Sequence, residues 1–126
     1  MPSAVEELIR YDSPLQLFER TAKTETVIGG VTLSAGDKAA ALLGAANRDP
    51  AAFADADVLD IGRHPNNHIG FGAGIHHCIG APLARMELQI SMPLLFERFP
   101  RLSLTGEPVR RPTFVLRGYE SVPVSA

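Results

Sequence analysis

Ten prolines and eleven glycines are spread along the 126 residues of this sequence, and they limit the length of its helices and strands more than any other feature. Residues of these two types interrupt helices and strands, so the chain divides into short elements. The first element is predicted to be a helix, since Val5, Leu8 and Ile9 form an apolar stripe at helical spacing. Ser3 and Glu6 match a capping box at the start of that helix.

The middle of the chain predicts a hairpin followed by an undecided segment. Two β-branched runs at 26–28 and 31–33 flank Gly29-Gly30, which is typical of a tight turn between antiparallel strands. The alanines of residues 38–46 favour a helix, but a glycine and the short length weaken that interpretation.

The second half of the chain begins with residues 47–69, whose weak periodicity predicts a long irregular connection. From Ile79 onward, apolar residues recur at helical spacing and predict a long helix. Pro93 lies inside this helix, where a proline removes a backbone hydrogen bond and costs about 3 kcal/mol or forces a kink. Short strands are predicted after the helix, at residues 102–104, 113–116 and 122–124.

Composition and charge exclude several functional classes. The net charge of −2 and the pI of about 6.0 leave no basic field for nucleic acid or for an anionic membrane surface. No apolar run reaches the roughly 18 residues of a membrane span, and the first residues lack the pattern of a secretory signal. A single cysteine excludes an internal disulfide and a C-x-x-C motif. We therefore expect one cytoplasmic domain spanning residues 1–126.

The segment from His64 to Cys78 holds all four histidines and the only cysteine. Three glycines between residues 70 and 74 allow the backbone to turn tightly and to approach a ligand closely. Cys78 directly precedes the predicted long helix, whose first N–H groups have no acceptors within the helix. The positive end of the helix dipole favours an anion there, and hence the thiolate, the form that binds metals.

Three interpretations of Cys78 follow from the residues, and they stay open at this point. Cys78 is an axial thiolate ligand for a metal cofactor in a glycine-rich cradle. Alternatively, Cys78 and histidines bind zinc, although His76, His77 and Cys78 are adjacent and cannot easily all reach one ion. In the third interpretation, Cys78 is a small buried residue and the histidines are polar loop residues.

The ten residues Phe71–Gly80 fill every specified position of the pattern F-G-x-G-x-H-x-C-x-G, which resembles the haem-binding signature of the cytochromes P-450. Glu7 and Arg10 are similar to the E-x-x-R motif of that family, and Asn47–Pro50 resembles the start of its meander. The resemblance covers essentially the whole chain, in the pattern of soluble bacterial members. It implies a mixed α and β, mainly α, C-terminal segment of the cytochrome P-450 fold. Its parts are the E-x-x-R helix, small β-hairpins, the meander, the haem loop, a long helix and short closing strands.

The resemblance also implies a set of cofactor and substrate contacts. Cys78 would be the proximal ligand of haem iron, with the amides of Ile79 and Gly80 tempering the charge on its sulfur. His76 and Arg20 match positions that bind the haem propionates, and Glu7 with Arg10 would be a structural pair. Further haem contacts are implied for Phe71, Gly72 and Ala84, and substrate contacts for Leu15, Gln16, Val115 and Leu116.

The function implied is a haem-thiolate monooxygenase that inserts oxygen from dioxygen into a small organic substrate. Its electrons would come from a ferredoxin or a flavoprotein reductase. Because the sequence starts at the E-x-x-R helix, we expect the distal helix to be absent and the chain to be inactive alone. The resemblance leaves open whether this segment retains haem. The alternative is a non-catalytic remnant that self-associates through exposed apolar surface, or that binds haem or zinc without turnover.

One departure from the family pattern concerns the E-x-x-R pair. The family ties this pair to a meander arginine in a pattern like D-P-D-R-F, whereas this chain has Val58 at the arginine position. We therefore expect Glu7 and Arg10 to lack their third partner, an imbalance that would cost a few kcal/mol if the pair is buried.

Overall fold

The computed structural model describes all 126 residues, which form three α-helices, a 3-10 helix and eight short strands. Helical residues outnumber strand residues, so the predicted mixed, mainly α architecture is confirmed. The helices are α1 (Pro2–Tyr11), α2 (Leu43–Ala46) and α3 (Ala81–Arg98), and the 3-10 helix is Gly74–His76. The strands are β1 (Leu17–Thr21), β2 (Thr26–Ile28), β3 (Val31–Leu33), β4 (Lys38–Leu42), β5 (Ser103–Leu104), β6 (Val109–Arg110), β7 (Tyr119–Ser121) and β8 (Val124–Ser125).

The strands pair in twos, as four separate antiparallel sheets: β1 with β4, β2 with β3, β5 with β8 and β6 with β7. The β2–β3 hairpin confirms the sequence prediction. Gly29 and Gly30 form its turn with φ values of 57° and 81°, a conformation that glycine adopts without a steric penalty. The undecided segment 38–46 is divided, because β4 pairs with β1 before the chain turns into α2.

The closing strands differ in part from the prediction. The predicted strands at 102–104 and 122–124 correspond to β5 and β8, which are two residues each. The strand predicted at 113–116 is wrong, because this segment makes only an isolated bridge between Leu116 and Leu15. That bridge holds the C-terminal part of the chain against the segment that follows α1.

Helix α1 begins without the predicted capping box. Met1 precedes the first helical residue, and no side chain caps the N-terminal N–H groups. Glu6 instead contacts Arg85 of α3 and His68. Of the predicted apolar stripe, Val5 and Ile9 are buried and Leu8 is exposed.

Residues 47–69 contain no helix or strand, as predicted, yet they pack closely on α1. Phe53 is buried, and the Arg10 guanidinium lies 5.2 Å from the centroid of its ring. The side chain of Asn47, which is fully buried, donates to the Ser13 hydroxyl at 2.7 Å and accepts the Ile69 N–H at 2.8 Å. Side-chain hydrogen bonds therefore order this segment in place of a backbone ladder.

Helix α3 begins at Ala81, two residues later than predicted, and continues to Arg98 across Pro93. The chain is therefore not divided into two helices at this proline. Apolar residues are distributed around the whole helix instead of along one stripe, and Leu83, Ile90 and several others are exposed. None of the helices combines the length and the apolar composition that a membrane-spanning helix requires.

The core is small and unusually polar. Only 12 of the 126 residues are buried, and the largest fully buried side chains are those of Arg10 and Glu7. Apolar burial is thus limited, and a charged pair takes the central place that a large apolar side chain usually occupies.

Candidate functional site

The glycine-rich loop before α3 presents Cys78 at the surface. The Cys78 N–H donates to the carbonyl of Phe71 at 2.9 Å and closes the loop. Gly72 has a φ of 75°, and a Cβ atom there would lie 3.4 Å from Cε2 of Phe18. The left-handed backbone conformation would therefore strain any residue with a side chain at this position.

An open cleft of about 660 Å³ lies against this loop, and most of its lining residues are apolar. This volume lies within the range of about 300–1,000 Å³ that is usual for sites of cofactors and other small ligands. Residues of the predicted site that line the cleft are Leu15, Phe71, His76, Cys78, Ile79, Ala84 and Leu116.

The two predicted propionate partners lie together beside this cleft. A smaller cavity of about 240 Å³ is lined by Arg20, Gly72 and His76, and both His76 and Phe18 also line the larger cleft. The guanidinium of Arg20 stacks over Phe18 at 5.1 Å from the ring centroid. A cationic side chain and an imidazole therefore line the same small cavity at one border of the apolar cleft.

Two residues that were predicted to contact substrate do not line the cleft. The Gln16 side chain is buried, donates to the Ser13 carbonyl and lines a separate polar cavity of about 520 Å³. Val115 is exposed, and its carbonyl accepts the Gln16 N–H at 2.9 Å. Both residues support the contact between the segments that carry Leu15 and Leu116.

Gly80, whose amide was expected to temper the charge on the sulfur, lies close to the cysteine side chain. A Cβ atom built on it would meet the Cys78 Sγ at 3.8 Å, which is ordinary van der Waals contact. Space within this chain alone would therefore admit an alanine at position 80.

Glu7 and Arg10 form a fully buried ion pair at the centre of the fold. The Arg10 Nε and Nη2 atoms donate to the Glu7 carboxylate at 2.7 and 2.8 Å. Further Arg10 donors reach the carbonyls of Asn47, Ala56 and Val58 at 2.7, 2.9 and 3.2 Å. These hydrogen bonds connect the irregular segment to α1. Because both side chains are fully buried, the pair is not a surface ion pair.

The expectation that this pair lacks a third partner is wrong, because Arg63 takes that place. Its Nε atom lies 3.2 Å from each Glu7 carboxylate oxygen, and the Asp60 N–H and Asn66 amide donate to the same group at 2.9 and 3.1 Å. Burial by itself would raise the pKa of Glu7. Hydrogen bonds from Arg10, the Asp60 N–H and Arg63 outweigh it and lower that pKa to about 2. The family pattern pointed to position 58 and not to Arg63, because residues in an irregular loop have no fixed spacing.

The geometry separates the three interpretations of Cys78. The thiol is exposed and lines a cleft, so a buried inert cysteine is wrong. No group of three or more His, Cys, Asp or Glu side chains is arranged to hold a metal ion, which contradicts a zinc site built from Cys78 and histidines. A thiolate that ligates the metal of a flat cofactor is the interpretation that agrees with the cleft.

Comparison with known proteins gives a consistent result. The family model described as Cytochrome P450 matches residues 1–117. The chain is 48% identical over 124 residues to the biotin biosynthesis cytochrome P450 of Bacillus subtilis (strain 168), covering 98% of this chain and 31% of that protein. It is also 48% identical over 130 residues to the mycinamicin IV hydroxylase/epoxidase of Micromonospora griseorubida, covering 98% of this chain and 32% of that protein.

A solved structure shows the same likeness in three dimensions. The crystal structure of P450BioI in complex with an acyl carrier protein ligated to hexadec-9Z-enoic acid matches with a TM-score of 0.95 and 48% identity. The match covers 98% of this chain and 32% of that one. The chain therefore spans about a third of the length of the relatives it matches.

Proposed function

The chain belongs to the cytochrome P450 family, and on that premise we propose that residues 1–126 are the single proximal haem-binding segment of a haem-thiolate monooxygenase. The observation that carries this proposal is the exposed thiol of Cys78 in an apolar cleft, with Arg20 and His76 at its border. A cysteine thiolate is one of the axial ligands that proteins supply to haem iron.

The residues of the cleft fit haem in their chemistry as well as in their volume. Apolar walls suit the faces of a macrocycle, and Gly72 allows the left-handed turn of the loop without backbone strain. The cofactor also carries two carboxylates, which we assign to Arg20 and His76; both line one small cavity beside the cleft and would bind a carboxylate through charge-assisted hydrogen bonds.

When bound, a thiolate-ligated haem supplies the activation of dioxygen, since the thiolate donates electron density to iron and favours O–O cleavage. The role of this chain would be to hold the Cys78 sulfur in position. Its loop is closed by the hydrogen bond from the Cys78 N–H to the Phe71 carbonyl. We assign to the amides of Ile79 and Gly80 the tempering of the sulfur charge, and to Phe71 and Ala84 the packing beside the cofactor.

Oxygen insertion into a small organic substrate is the reaction that we assign to the whole enzyme. One relative is named a hydroxylase/epoxidase, which supports this reaction class. Leu15 and Leu116 would contact the substrate, because both line the cleft and the bridge between them places them side by side. A ferredoxin or a flavoprotein reductase would supply the electrons.

For the 126 residues alone, the proposal is haem binding without turnover. Ile75 and Ile79 in the cleft are 98% and 101% exposed, so water reaches the space beside Cys78. An oxygen-activating site must exclude water, both to strengthen its electrostatic interactions and to prevent side reactions.

The test is the optical spectrum of the purified chain after addition of haem, reduction and treatment with carbon monoxide. A thiolate-type band in the wild-type chain and its loss in Cys78→Ser support the assignment. Absence of the band in the folded wild-type chain would refute it. Addition of an organic hydroperoxide and a test substrate should give no catalytic product; hydroxylation that Cys78→Ser abolishes would refute the proposed inactivity.

A second candidate function, self-association without catalysis, is favoured by the exposed apolar surface of α3. Leu83, Met86, Ile90 and Leu94 are each more than half exposed, and exposed apolar patches above a few hundred Å² commonly drive association. Light scattering tests this candidate. A strictly monomeric chain at all concentrations would contradict it, whereas a discrete oligomer that Ile90→Lys converts to a monomer would support it.

A further inference from the structure

Glu6, which precedes the buried Glu7, links α1 to two elements beside the cleft. Its carboxylate accepts hydrogen bonds from Nε and Nη2 of Arg85 at 2.7 and 2.9 Å. It also lies 2.8 Å from Nε2 of His68. The Gly70 N–H donates to Nδ1 of His68 at 3.1 Å, so Nδ1 carries no proton and Nε2 is the nitrogen that donates to Glu6.

The Glu6–Arg85 pair remains charged near neutral pH. Hydrogen bonding from Arg85 holds the pKa of Glu6 below its usual value, and hydrogen bonding to Glu6 raises the pKa of Arg85. Both side chains are only partly exposed, at 24% and 31%. A bidentate pair with this burial fixes the plane of the guanidinium more firmly than an exposed ion pair does.

Both partners of Glu6 flank the ring of Phe71. The Arg85 guanidinium lies 4.6 Å from the ring centroid, and the His68 ring centroid lies 6.2 Å from it. The Phe71 carbonyl in turn accepts the Cys78 N–H at 2.9 Å. A continuous series of contacts therefore leads from Glu6 through Phe71 to the backbone of the cysteine.

We propose that Glu6 is a positioning residue for the haem thiolate, acting through Arg85 and His68 on Phe71 and thereby on the Cys78 loop. This inference rests on the proposed haem-binding function. The role proposed for Glu6 differs from that of Glu7. The hydrogen-bond partners of Glu7 lie within α1 and residues 60–66, and none of them lies in the Cys78 loop. Groups that orient a metal ligand from outside its first shell typically contribute about 10–100-fold to metal affinity or activity.

The first experiment compares Glu6→Gln with Glu87→Gln, an identical change at an exposed position of α3 close to Arg85. Glutamine keeps the side-chain length but has no charge and a single acceptor oxygen. In the haem-free chain, NMR hydrogen exchange of the Cys78 amide should be about tenfold faster in Glu6→Gln, because a charge-assisted hydrogen bond that orders the loop is lost. Haem titration should show an affinity about 10–100-fold lower. The control should match the wild-type chain in both measurements.

A second variant, Arg85→Lys, separates the stacking on Phe71 from the charge alone. Lysine retains the charge that pairs with Glu6 but lacks the planar guanidinium over the ring, so the same two changes are expected. Wild-type values in both Glu6→Gln and Arg85→Lys would overturn the inference. So would equal acceleration of the Arg111 amide, which donates to the Gly118 carbonyl far from Glu6 in sequence, because that result would indicate a general loss of stability. A wild-type chain without a thiolate band would instead overturn the proposed function, while Cys78 exchange would still test the role of Glu6.

Discussion

Replacement of Glu7 by glutamine removes the charge that balances Arg10 inside the fold. Both side chains are fully buried, and four residues donate hydrogen bonds to the Glu7 carboxylate: Arg10, Asp60, Arg63 and Asn66. Glutamine would keep one acceptor oxygen and would turn an amide donor toward these donors. The variant should therefore be destabilised by much more than the loss of a single hydrogen bond.

Two arguments give the size of the effect. Removal of one partner from a buried ion pair costs about 3–5 kcal/mol, because the other charge stays buried without compensation. Independently, the pKa of Glu7 is about 2 in the folded chain against an ordinary value of 4.5, a difference that corresponds to about 3 kcal/mol. Domains of this length are stable by about 5–15 kcal/mol, so the loss is a large share of the total.

The sign of the pH dependence follows from the lowered pKa. Because the folded chain holds Glu7 ionised more firmly than the unfolded chain does, this contribution is fully present above pH 4.5. It is lost as the pH falls from 4.5 toward 2. Glu7→Gln has no proton to exchange and should lack this part of the acid dependence.

The assay is urea unfolding followed by circular dichroism at several pH values, for the wild-type chain, Glu7→Gln and the exposed control Glu87→Gln. The control should stay within about 0.5 kcal/mol of the wild type. A loss below about 1 kcal/mol for Glu7→Gln at pH 7 would refute the reasoning. An unchanged acid dependence in that variant would refute it as well, because Glu7 would then not be the group that titrates.

Three further predictions concern stability and use the same unfolding assay. Gly70→Ala should lose about 1–3 kcal/mol, because its Cβ would lie 2.7 Å from Cγ2 of Ile9; Gly62→Ala, whose nearest contact would be 3.4 Å, is the control and should be neutral. Asn47→Ala should lose about 1–3 kcal/mol by leaving the partly buried Ile69 N–H without its acceptor and the buried Ser13 hydroxyl without its donor, and a neutral result would contradict its role. Pro93→Ala should gain up to about 3 kcal/mol by restoring a helical hydrogen bond; a loss would show that the proline is required.

Local residue patterns were sufficient to predict some of the elements. The hairpin around Gly29 and Gly30 depends on backbone conformation at two adjacent residues. The helix that follows Cys78 is present as predicted, although its apolar residues do not form the single stripe that helical spacing suggests. The glycine-rich loop likewise indicated a close approach of backbone to ligand, which its surface position beside a cleft supports. In each of these cases the conformation depends mainly on residues that are close in the sequence.

Other predictions failed where residues distant in the chain compete for the same group. Glu6 was expected to cap α1, but Arg85 and His68 offer its carboxylate stronger, charge-assisted hydrogen bonds. The family pattern predicts the third partner of Glu7 at position 58, which is a valine here, whereas the fold brings Arg63 to that carboxylate. Such contacts cannot be predicted from the spacing of residues in the sequence, because an irregular loop can place any of its residues at the buried carboxylate.

The chemical groups of this chain can be read from local residue patterns: one cysteine before a helix, a loop of glycines, and a Glu–Arg pair at helical spacing. The partners of those groups depend on the three-dimensional fold. It buried Glu7 and Arg10 completely, left Cys78 exposed on an apolar cleft, and placed Arg20 beside His76. The physical reason is that desolvation and charge pairing depend on what surrounds a group in space, and contacts between distant parts of the chain supply those surroundings.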